Sequence, residues 1–231
     1  GNGEKARQVL AHWRPRAYMP IEISREQLLQ ASRDLARDYP RLAVHAVCAD
    51  YTRAITWPEQ TPPPRLVFFP GSTLGNFEPE ERAPFLQRLH ELAGPGGSLL
   101  LGADLHKDTA TLNAAYNDAA GYTAAFNRNL LDHLNRVLEI GFEPDAFEHE
   151  AFYNEDQRRI EMHLRCHRDQ QLRIDGERVT LSAGTTIHTE NSYKFTPEEL
   201  EEELARAGFA MDTWCQSPEP AFALCLAKVR K

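Results

Sequence analysis

The chain has 231 residues, of which 42% are hydrophobic and 26% charged, a balance typical of a globular protein with one large domain or two small ones. Its net charge of −8 excludes simple electrostatic attraction to nucleic acid or to an anionic membrane, so we expect a small-molecule partner. No apolar stretch reaches the roughly 20 residues that span a bilayer, and no signal-peptide pattern opens the chain, so we expect a soluble, cytoplasmic protein. We also expect it to be a monomer.

The first half of the sequence alternates helix and strand patterns. In chain order it predicts a helix at 3–13, a strand at 17–23, a helix from 24 to about 38, strands at 42–48 and 66–69, a helix at 78–93 and a strand at 98–104. Ser24, with Gln27 three residues later, is a capping-box pattern for the second helix. This alternation is typical of an α/β fold with a doubly wound, mostly parallel sheet, whose ligands bind at the carboxyl ends of the strands.

The second half follows a different pattern. It predicts a long helical region at 106–138 interrupted at 121, strands at 159–166, 171–174, 178–181 and 185–188, a helix from 196 to 208, and strands at 210–215 and 222–229. Asp175-Gly176 is the expected hairpin turn, and Thr196 the expected cap of the last helix. We therefore predict an α+β substrate-binding insertion at 107–193 within a ligand-binding domain formed by 1–106 and 194–231.

Three segments of the first half carry residues suited to a nucleoside ligand. The chain opens at Gly1 with a glycine-rich entry to a helix, where backbone amides favour negative groups. Glu22 ends the next strand pattern, where an acid can accept hydrogen bonds from ribose hydroxyls, and Asp50-Tyr51 ends the following one, where an acid and a ring suit adenine. The combination indicates S-adenosylmethionine, whereas a nicotinamide enzyme would share only the first two features. The alternative is that these residues have no ligand: the glycines would form a helix-entry turn, and the acids would be solvated charges at strand ends.

A loop with two glycines follows the fourth predicted strand, with the sequence FPGSTLGN from Phe69 to Asn76. In methyltransferases a loop in this place holds the methyl acceptor, and Gly71 and Asn76 are the candidates here; the alternative is a tight turn capped by Asn76. The nine histidines show no HExxH or similar spacing, so we expect no metal site. The four cysteines form no CxxC pair and are expected to be free thiols.

Five stretches resemble the histidine-specific, S-adenosylmethionine-dependent methyltransferases of ergothioneine biosynthesis. They are FFPGSTLGNF, LLLGADLHKD, AAYNDAAGYTAAFNRNLL, FEHEAFYNEDQRRIEMHLR and TIHTENSYKF, and they occur in the family's order along essentially the whole chain. The resemblance implies a Rossmann-like class I methyltransferase domain with an inserted substrate domain. It also implies transfer of methyl groups, in three successive steps, to the α-amino nitrogen of free L-histidine, which gives hercynine.

The resemblance also implies a role for individual residues. The cofactor contacts of the family fall on Gly1, Lys5, Glu22, Asp50 and Tyr51. Family members usually have aspartate where this chain has Glu22, a change that should still reach the ribose.

For the amino acid substrate, the resemblance places Asn76 and Tyr116 at the α-amino and carboxylate end, as candidates for orienting the amine. Met162 is expected to line the side-chain pocket, and Glu190 and Ser192 to meet the imidazole. A carboxylate can accept an imidazole N–H, and a hydroxyl can donate to or accept from the other nitrogen. From the residues alone, Glu190 would be an ordinary charge at a strand end, and Tyr116 and Met162 would be core.

The sequence begins inside the glycine-rich loop, so the strand that normally precedes such a loop and the N-terminal helical segment of the family are expected to be missing. Two alternatives to a histidine methyltransferase therefore stay open. One is a truncated or inactive relative that only binds ligands. The other is a methyltransferase of the same fold that acts on another small amino acid.

Overall fold

The computed structural model describes residues 3–53, 55, 61–218 and 221–230. The helices are α1 (Glu4–His12), α2 (Arg25–Asp38), α3 (Pro79–Ala93), α4 (Thr109–Tyr116), α5 (Tyr122–Leu138) and α6 (Pro197–Arg206). The strands are β1 (Ala17–Tyr18), β2 (Ile21–Glu22), β3 (Ala43–Val44), β4 (Val47–Cys48), β5 (Leu66–Phe69), β6 (Ser98–Asp104), β7 (Phe147–Asn154), β8 (Arg159–Cys166), β9 (Gln170–Ile174), β10 (Glu177–Leu181), β11 (Thr186–Tyr193), β12 (Phe209–Gln216) and β13 (Phe222–Val229). In this part of the chain, no helix has the length and apolar character needed to cross a membrane.

The main sheet has four strands in the order β12-β13-β6-β5. Strands β5 and β6 are parallel, and β13 and β12 add an antiparallel edge. Helix α3 turns Phe85, Leu86 and Leu89 into the core beside β6, as its apolar spacing predicts, and Leu200 and Leu204 of α6 join the same cluster. Burial of these side chains stabilises the domain, because each removes apolar surface from water. The mixed α/β architecture that the sequence predicts is therefore present.

The strands predicted at 17–23 and 42–48 form two short parallel ladders instead of one. β1 pairs with β3, and β2 pairs with β4. Pro20 follows β1, and proline has no amide hydrogen to donate to a ladder. Within the described residues, the strand pairings do not join either ladder to β5.

The N-terminus of α2 corrects one prediction. Ser24 is the N-cap residue, but its side chain forms no capping hydrogen bond. The Ser24 amide instead donates to Oε1 of Glu22, 3.1 Å away. The capping box predicted with Gln27 is wrong, since the turn there is organised by the carboxylate of Glu22.

A second, three-stranded antiparallel sheet has the order β11-β8-β7, with the hairpin β9-β10 beside it. Asp175 and Gly176 both have positive φ at the hairpin turn, as predicted. Strand β11 is longer than predicted: it continues past His188 to Tyr193, with a register irregularity between His188 and Glu190. Strand β7 was not predicted at all. These differences matter because Glu190 and Ser192 now lie within a paired strand.

The helical region predicted at 106–138 divides into α4 and α5. The break precedes Gly121, because Asp118 accepts hydrogen bonds of 2.8 Å from the amides of Tyr122 and Thr123 and so supports the start of α5. These backbone hydrogen bonds lower the pKa of Asp118 to about 2. The carboxylate therefore remains charged at any pH at which the protein is assayed.

The two sheets meet where β11 runs beside the carboxyl end of β6. The amide of Phe195 donates to the carbonyl of Asp104 at 3.1 Å, and the amide of His106 donates to the carbonyl of Phe195 at 3.3 Å. The residues that follow β11 therefore lie at the edge of the main sheet where ligands bind in α/β folds.

Helix α6 begins at the predicted cap, Thr196, which forms a capping box with Glu199. Thr196 Oγ1 accepts from the amide of Glu199 at 3.2 Å, and Glu199 Oε2 accepts from the amide of Thr196 at 3.0 Å. We expect Thr196→Ala to lower the free energy of unfolding by about 1 kcal/mol, because an alanine cannot cap the helix. Urea denaturation measures this loss, with Thr196→Ser as the control that keeps the hydroxyl. Equal losses in both variants would contradict the capping account.

Candidate active site

Two acidic residues lie at the carboxyl ends of neighbouring parallel strands. Glu22 is the last residue of β2 and pairs with Cys48, the last residue of β4, and Asp50 follows two positions later. The ring of Tyr51 packs against Phe69 with ring centroids 5.7 Å apart. Because Phe69 ends β5, this contact brings the carboxyl ends of β4 and β5 together.

The charges at this edge are set by local hydrogen bonds. Burial raises the pKa of Glu22, but hydrogen bonds, including one from the amide of Ser24, outweigh it and leave the pKa below its usual value. The side chain and amide of Thr52 lower the pKa of Asp50. Burial raises the pKa of Tyr51, and the charges of Glu22 and Asp50 raise it further. Two carboxylates that stay ionised beside a neutral phenol form an acceptor set that fits ribose hydroxyls and an adenine amine.

The other two predicted cofactor contacts are at the N-terminus. Lys5 is exposed in the first turn of α1. Gly1 lies outside the described residues. The part of the predicted cofactor site that the structure brings together is therefore Glu22, Asp50 and Tyr51.

The loop after β5 is a 3-10 turn at Ser72–Asn76 that begins after Gly71, which has extended backbone. The amide of Asp104 donates to Ser72 Oγ at 2.9 Å, which ties the loop to the end of β6. A Cβ atom on Gly75 would lie 2.6 Å from the carbonyl oxygen of Tyr193, so only glycine allows this turn to lie directly against β11. This loop therefore approaches the protein's own backbone closely.

This approach places Asn76 beside Glu190. Asn76 Nδ2 donates to Glu190 Oε1 at 3.1 Å. The family resemblance implies that these residues hold opposite ends of the substrate, whereas the structure joins them directly. This bond uses one amide hydrogen of Asn76 and one carboxylate oxygen of Glu190, so each residue keeps a further polar atom for a substrate.

Glu190 and Ser192 lie on one face of β11, since alternate residues of a strand face the same side. Glu190 is paired with Met162 of β8, which is 2% exposed and packs with Leu112 of α4. At the end of α4, the hydroxyl of Tyr116 donates to Ser192 Oγ at 2.8 Å. The structure therefore brings all the substrate residues predicted after the loop into one group. Their roles toward a ligand stay predictions.

Burial raises the pKa of Glu190 above its ordinary value, although the amide of Asn76 and the charge of Lys194 act in the opposite direction. A half-buried carboxylate of this kind is an acceptor with few water molecules to compete for it. It is suited to receive an N–H group from a ligand.

Sequence reasoning missed Lys194, whose side chain is 0% exposed. Its ammonium lies 3.0 Å from Asp104 Oδ2, 3.0 Å from the Tyr116 hydroxyl oxygen and 2.8 Å from Ser192 Oγ. A lysine beside a tyrosine gives no pattern of its own in the sequence. The spacing could have indicated it: Lys194 comes two residues after Ser192, and in extended chain residues two apart face the same side.

Among the described residues, one cluster is suited to a metal ion, and it lies apart from Glu190 and Ser192. Potential ligand atoms of Glu161, His163 and His188 lie within 4.8 Å of one another. The Glu161 carboxylate already accepts from Arg159 and Asn154, at 2.9 and 3.0 Å. The histidines are 25 positions apart, by subtraction of their residue numbers, so spacing rules could not bring them together.

Comparison with known proteins adds to this geometry. A family model described as a histidine-specific, SAM-dependent methyltransferase matches residues 1–229. A histidine N-alpha-methyltransferase of Mycolicibacterium smegmatis is 43% identical over 234 residues, covering 98% of this chain and 72% of that protein. The ergothioneine biosynthesis protein 1 of Neurospora crassa is 29% identical over 233 residues, covering 92% of this chain and 24% of that protein.

Among solved structures, an S-adenosylmethionine-dependent methyltransferase from Clostridium acetobutylicum superimposes with a TM-score of 0.55 at 10% identity. The match covers 100% of this chain and 81% of the other, and it agrees with the α/β methyltransferase fold expected from the sequence. The family model extends over nearly the whole sequence, and the mycobacterial relative is aligned over nearly all of it. The chain therefore belongs to the histidine-specific, S-adenosylmethionine-dependent methyltransferase family.

Proposed function

We propose that this protein transfers methyl groups from S-adenosylmethionine to the α-amino nitrogen of free L-histidine, in three successive transfers that give hercynine. The observation that carries the proposal is the set of polar side chains near the carboxyl end of β6. There a half-buried Glu190 and the Ser192 hydroxyl lie side by side over the buried Met162. An acceptor and a hydroxyl above an apolar floor suit an imidazole, which has one N–H, one bare nitrogen and an apolar ring face.

The same proposal assigns one ligand to each of the two sheets. The main sheet, with residues 1–106 and 194–231, binds the cofactor, and the insertion at 107–193 binds the amino acid. The contact between Tyr51 and Phe69 supports this, because it puts the end of β4 next to the loop that leads to Asn76. A cofactor bound at β4 and an amino acid bound at this loop would then lie at neighbouring strand ends.

Glu22 and Asp50 would hold the ribose and the adenine amine of the cofactor, with Tyr51 against the adenine ring. When bound, S-adenosylmethionine supplies a methyl group on a positively charged sulfur. The protein's own residues position the acceptor: Asn76 and Tyr116 orient the α-amine, which must be unprotonated to use its lone pair. The proton that the nitrogen releases goes to solvent, and no residue is assigned as a general base.

The cofactor assignment predicts that Asp50→Ala weakens binding of S-adenosylhomocysteine by roughly 10-fold to 100-fold, since a hydrogen bond to a charged acceptor is lost. Affinity for histidine should change far less. Calorimetric titration of both ligands measures this. Asp212→Ala is the matched control, because Asp212 is an exposed acid that pairs with Lys228 on the far edge of the sheet. Unchanged cofactor affinity in the Asp50 variant would reject the assignment.

We further propose that the protein acts as a monomer in the cytoplasm, on a small molecule and not on nucleic acid or a membrane. Its net charge of −8 supports the absence of polyanionic partners.

A further inference from the structure

Lys194 uses its whole hydrogen-bonding capacity inside the protein. An ammonium group has three donors and no acceptor. Its three partners, Asp104, Tyr116 and Ser192, all lie within 3.0 Å of Nζ, and its side chain is 0% exposed. Lys194 therefore has no donor left for a ligand. Its effect on a ligand must act through the two hydroxyl groups that it binds.

The consequence for Ser192 follows from a count of its lone pairs. A serine hydroxyl has one hydrogen to donate and two lone pairs that accept. One lone pair accepts from Lys194 Nζ at 2.8 Å, and the other accepts from the hydroxyl of Tyr116 at 2.8 Å. The phenol is the donor in this second bond, because its O–H is more acidic than that of serine. What Ser192 can still offer is its own hydrogen.

We propose that Lys194 is a positioning residue that, with Tyr116, fixes Ser192 as a hydrogen-bond donor toward the ligand and thereby makes the site select a neutral imidazole. The inference rests on the proposed function and specifies how that site recognises its ligand. Glu190 accepts the imidazole N–H, and Ser192 donates to the unprotonated nitrogen. An imidazolium ion would bring a second N–H against the Ser192 hydrogen, and that clash excludes it.

Of the charged groups nearest the ring, Lys194 disfavours an imidazolium and Glu190 attracts one, so the selection rests on the direction of the Ser192 hydrogen bond. Glu190 faces the ring from β11, with Asn76 on the loop beside it. Behind Ser192 and Tyr116 are Lys194 and its partner Asp104, which also pairs with Lys107. Of the other acids and bases of this sheet, His149 of β7 lies on the same face and contacts the carbonyl oxygen of Tyr116 at 2.9 Å. Arg159, Glu161 and His163 lie on the opposite face, where they bond to one another and to Glu78 at the start of α3.

The test compares two ligands whose rings differ in basicity. L-Histidine and β-(1,2,4-triazol-3-yl)-L-alanine are titrated calorimetrically into the protein saturated with S-adenosylhomocysteine, at about pH 7.5 and about pH 5.5, on either side of an imidazole pKa of roughly 6.5. The triazole stays neutral at both pH values. Both ligands meet the same Glu190 and carry the same α-amine, so titration of those groups cancels in the comparison.

For the wild-type protein, the affinity for histidine is expected to fall about tenfold more than that for the triazole when the pH is lowered, because only the neutral fraction of imidazole binds. In Tyr116→Phe, Ser192 regains a lone pair and can accept from the imidazolium. The additional fall in histidine affinity, relative to that of the triazole, should therefore drop below about twofold. Lys194→Met should behave in the same way. Lys107→Met is the matched control: it removes a charge from Asp104 without touching Ser192, and should keep the dependence.

The outcomes separate this inference from the function on which it rests. Equal pH dependence of both ligands in the wild-type protein would overturn the inference alone, since histidine would still bind. Persistence of the histidine-specific dependence in both Tyr116→Phe and Lys194→Met would also overturn it. Absence of histidine binding at about pH 7.5 would reject the proposed function and the inference with it. Thermal unfolding of each variant verifies that it is folded.

Discussion

Glu190→Ala is expected to weaken the binding of L-histidine by roughly 100-fold, because the imidazole N–H loses a charged acceptor in a half-buried site. The affinity for S-adenosylhomocysteine should stay within about twofold, because Glu22 and Asp50, at the ends of other strands, are the proposed cofactor residues. Calorimetric titration of each ligand gives both values. Glu150→Ala is the matched control, since Glu150 is an acid of the same sheet that pairs with Arg165. Equal losses of the two affinities in the Glu190 variant would reject its assignment to the substrate.

The carboxyl group of Glu190 should also make the stability of the folded protein depend on pH. Burial raises the pKa of Glu190 in the folded protein, so the folded state favours the protonated form. The contribution of Glu190 to stability is therefore full below the unfolded pKa and is lost as the pH rises through the folded pKa. Glu190→Gln, which stays neutral, should gain thermal stability relative to wild type as the pH rises through this range. A difference in melting temperature that does not change with pH would contradict the buried environment of Glu190.

Gly75→Ala is the second change with a large expected effect. The new methyl group would lie 2.6 Å from the carbonyl oxygen of Tyr193, a backbone atom that cannot move alone. We expect a loss of about 2 kcal/mol or more in the free energy of unfolding, as for overpacking of a buried site. The turn must then move away from β11, which separates Asn76 from Glu190, and the KM for histidine should rise with it.

Gly71→Ala is the matched control in the same loop. Gly71 has φ −80, which any residue adopts, and its added Cβ atom would meet the side-chain oxygen of Thr73 at 3.2 Å. A side-chain oxygen can rotate away, so the loss of stability should be small. Urea denaturation of the two variants distinguishes them. Equal stability of the Gly71 and Gly75 variants would show that the loop does not depend on direct contact with β11.

The elements that sequence predicted best are those whose signals are local. Helix α3 combines an apolar stripe with Pro79 at its start and Gly94 at its end, and the structure follows both limits. Strand β6 occurs at its predicted residues, because a short apolar run after glycines is typical of a buried strand. In these segments local propensity and tertiary packing agree.

The insertion was harder to predict because its strands are polar. Strand β7 has the sequence FEHEAFYN, in which charged and aromatic residues obscure the alternation that marks a strand. The last part of β11 contains Asn191 and Ser192, which are turn residues by local propensity, and Glu190, a residue type depleted in strands. These residues form a strand because pairing with β8 and burial over Met162 override that propensity.

For the candidate site, residue types could be assigned from the resemblance to a family, but contacts could not. Asn76 and Glu190 are 114 positions apart, and no sequence pattern indicated that they share a hydrogen bond. Lys194 was missed for a related reason: its importance comes from Asp104 and Tyr116, which the fold brings to it from two other elements. Such long-range contacts depend on how the two sheets meet.

The measurement that tests the central claim most directly is mass spectrometry of the products formed from S-adenosylmethionine and a mixture of all the common free amino acids. The account predicts that histidine alone gains methyl groups, up to the trimethylated betaine, and that Glu190→Ala abolishes most of this product. Methylation of a different amino acid, with histidine unchanged, would contradict the proposed substrate and the roles of Glu190 and Ser192 while leaving the methyltransferase family intact.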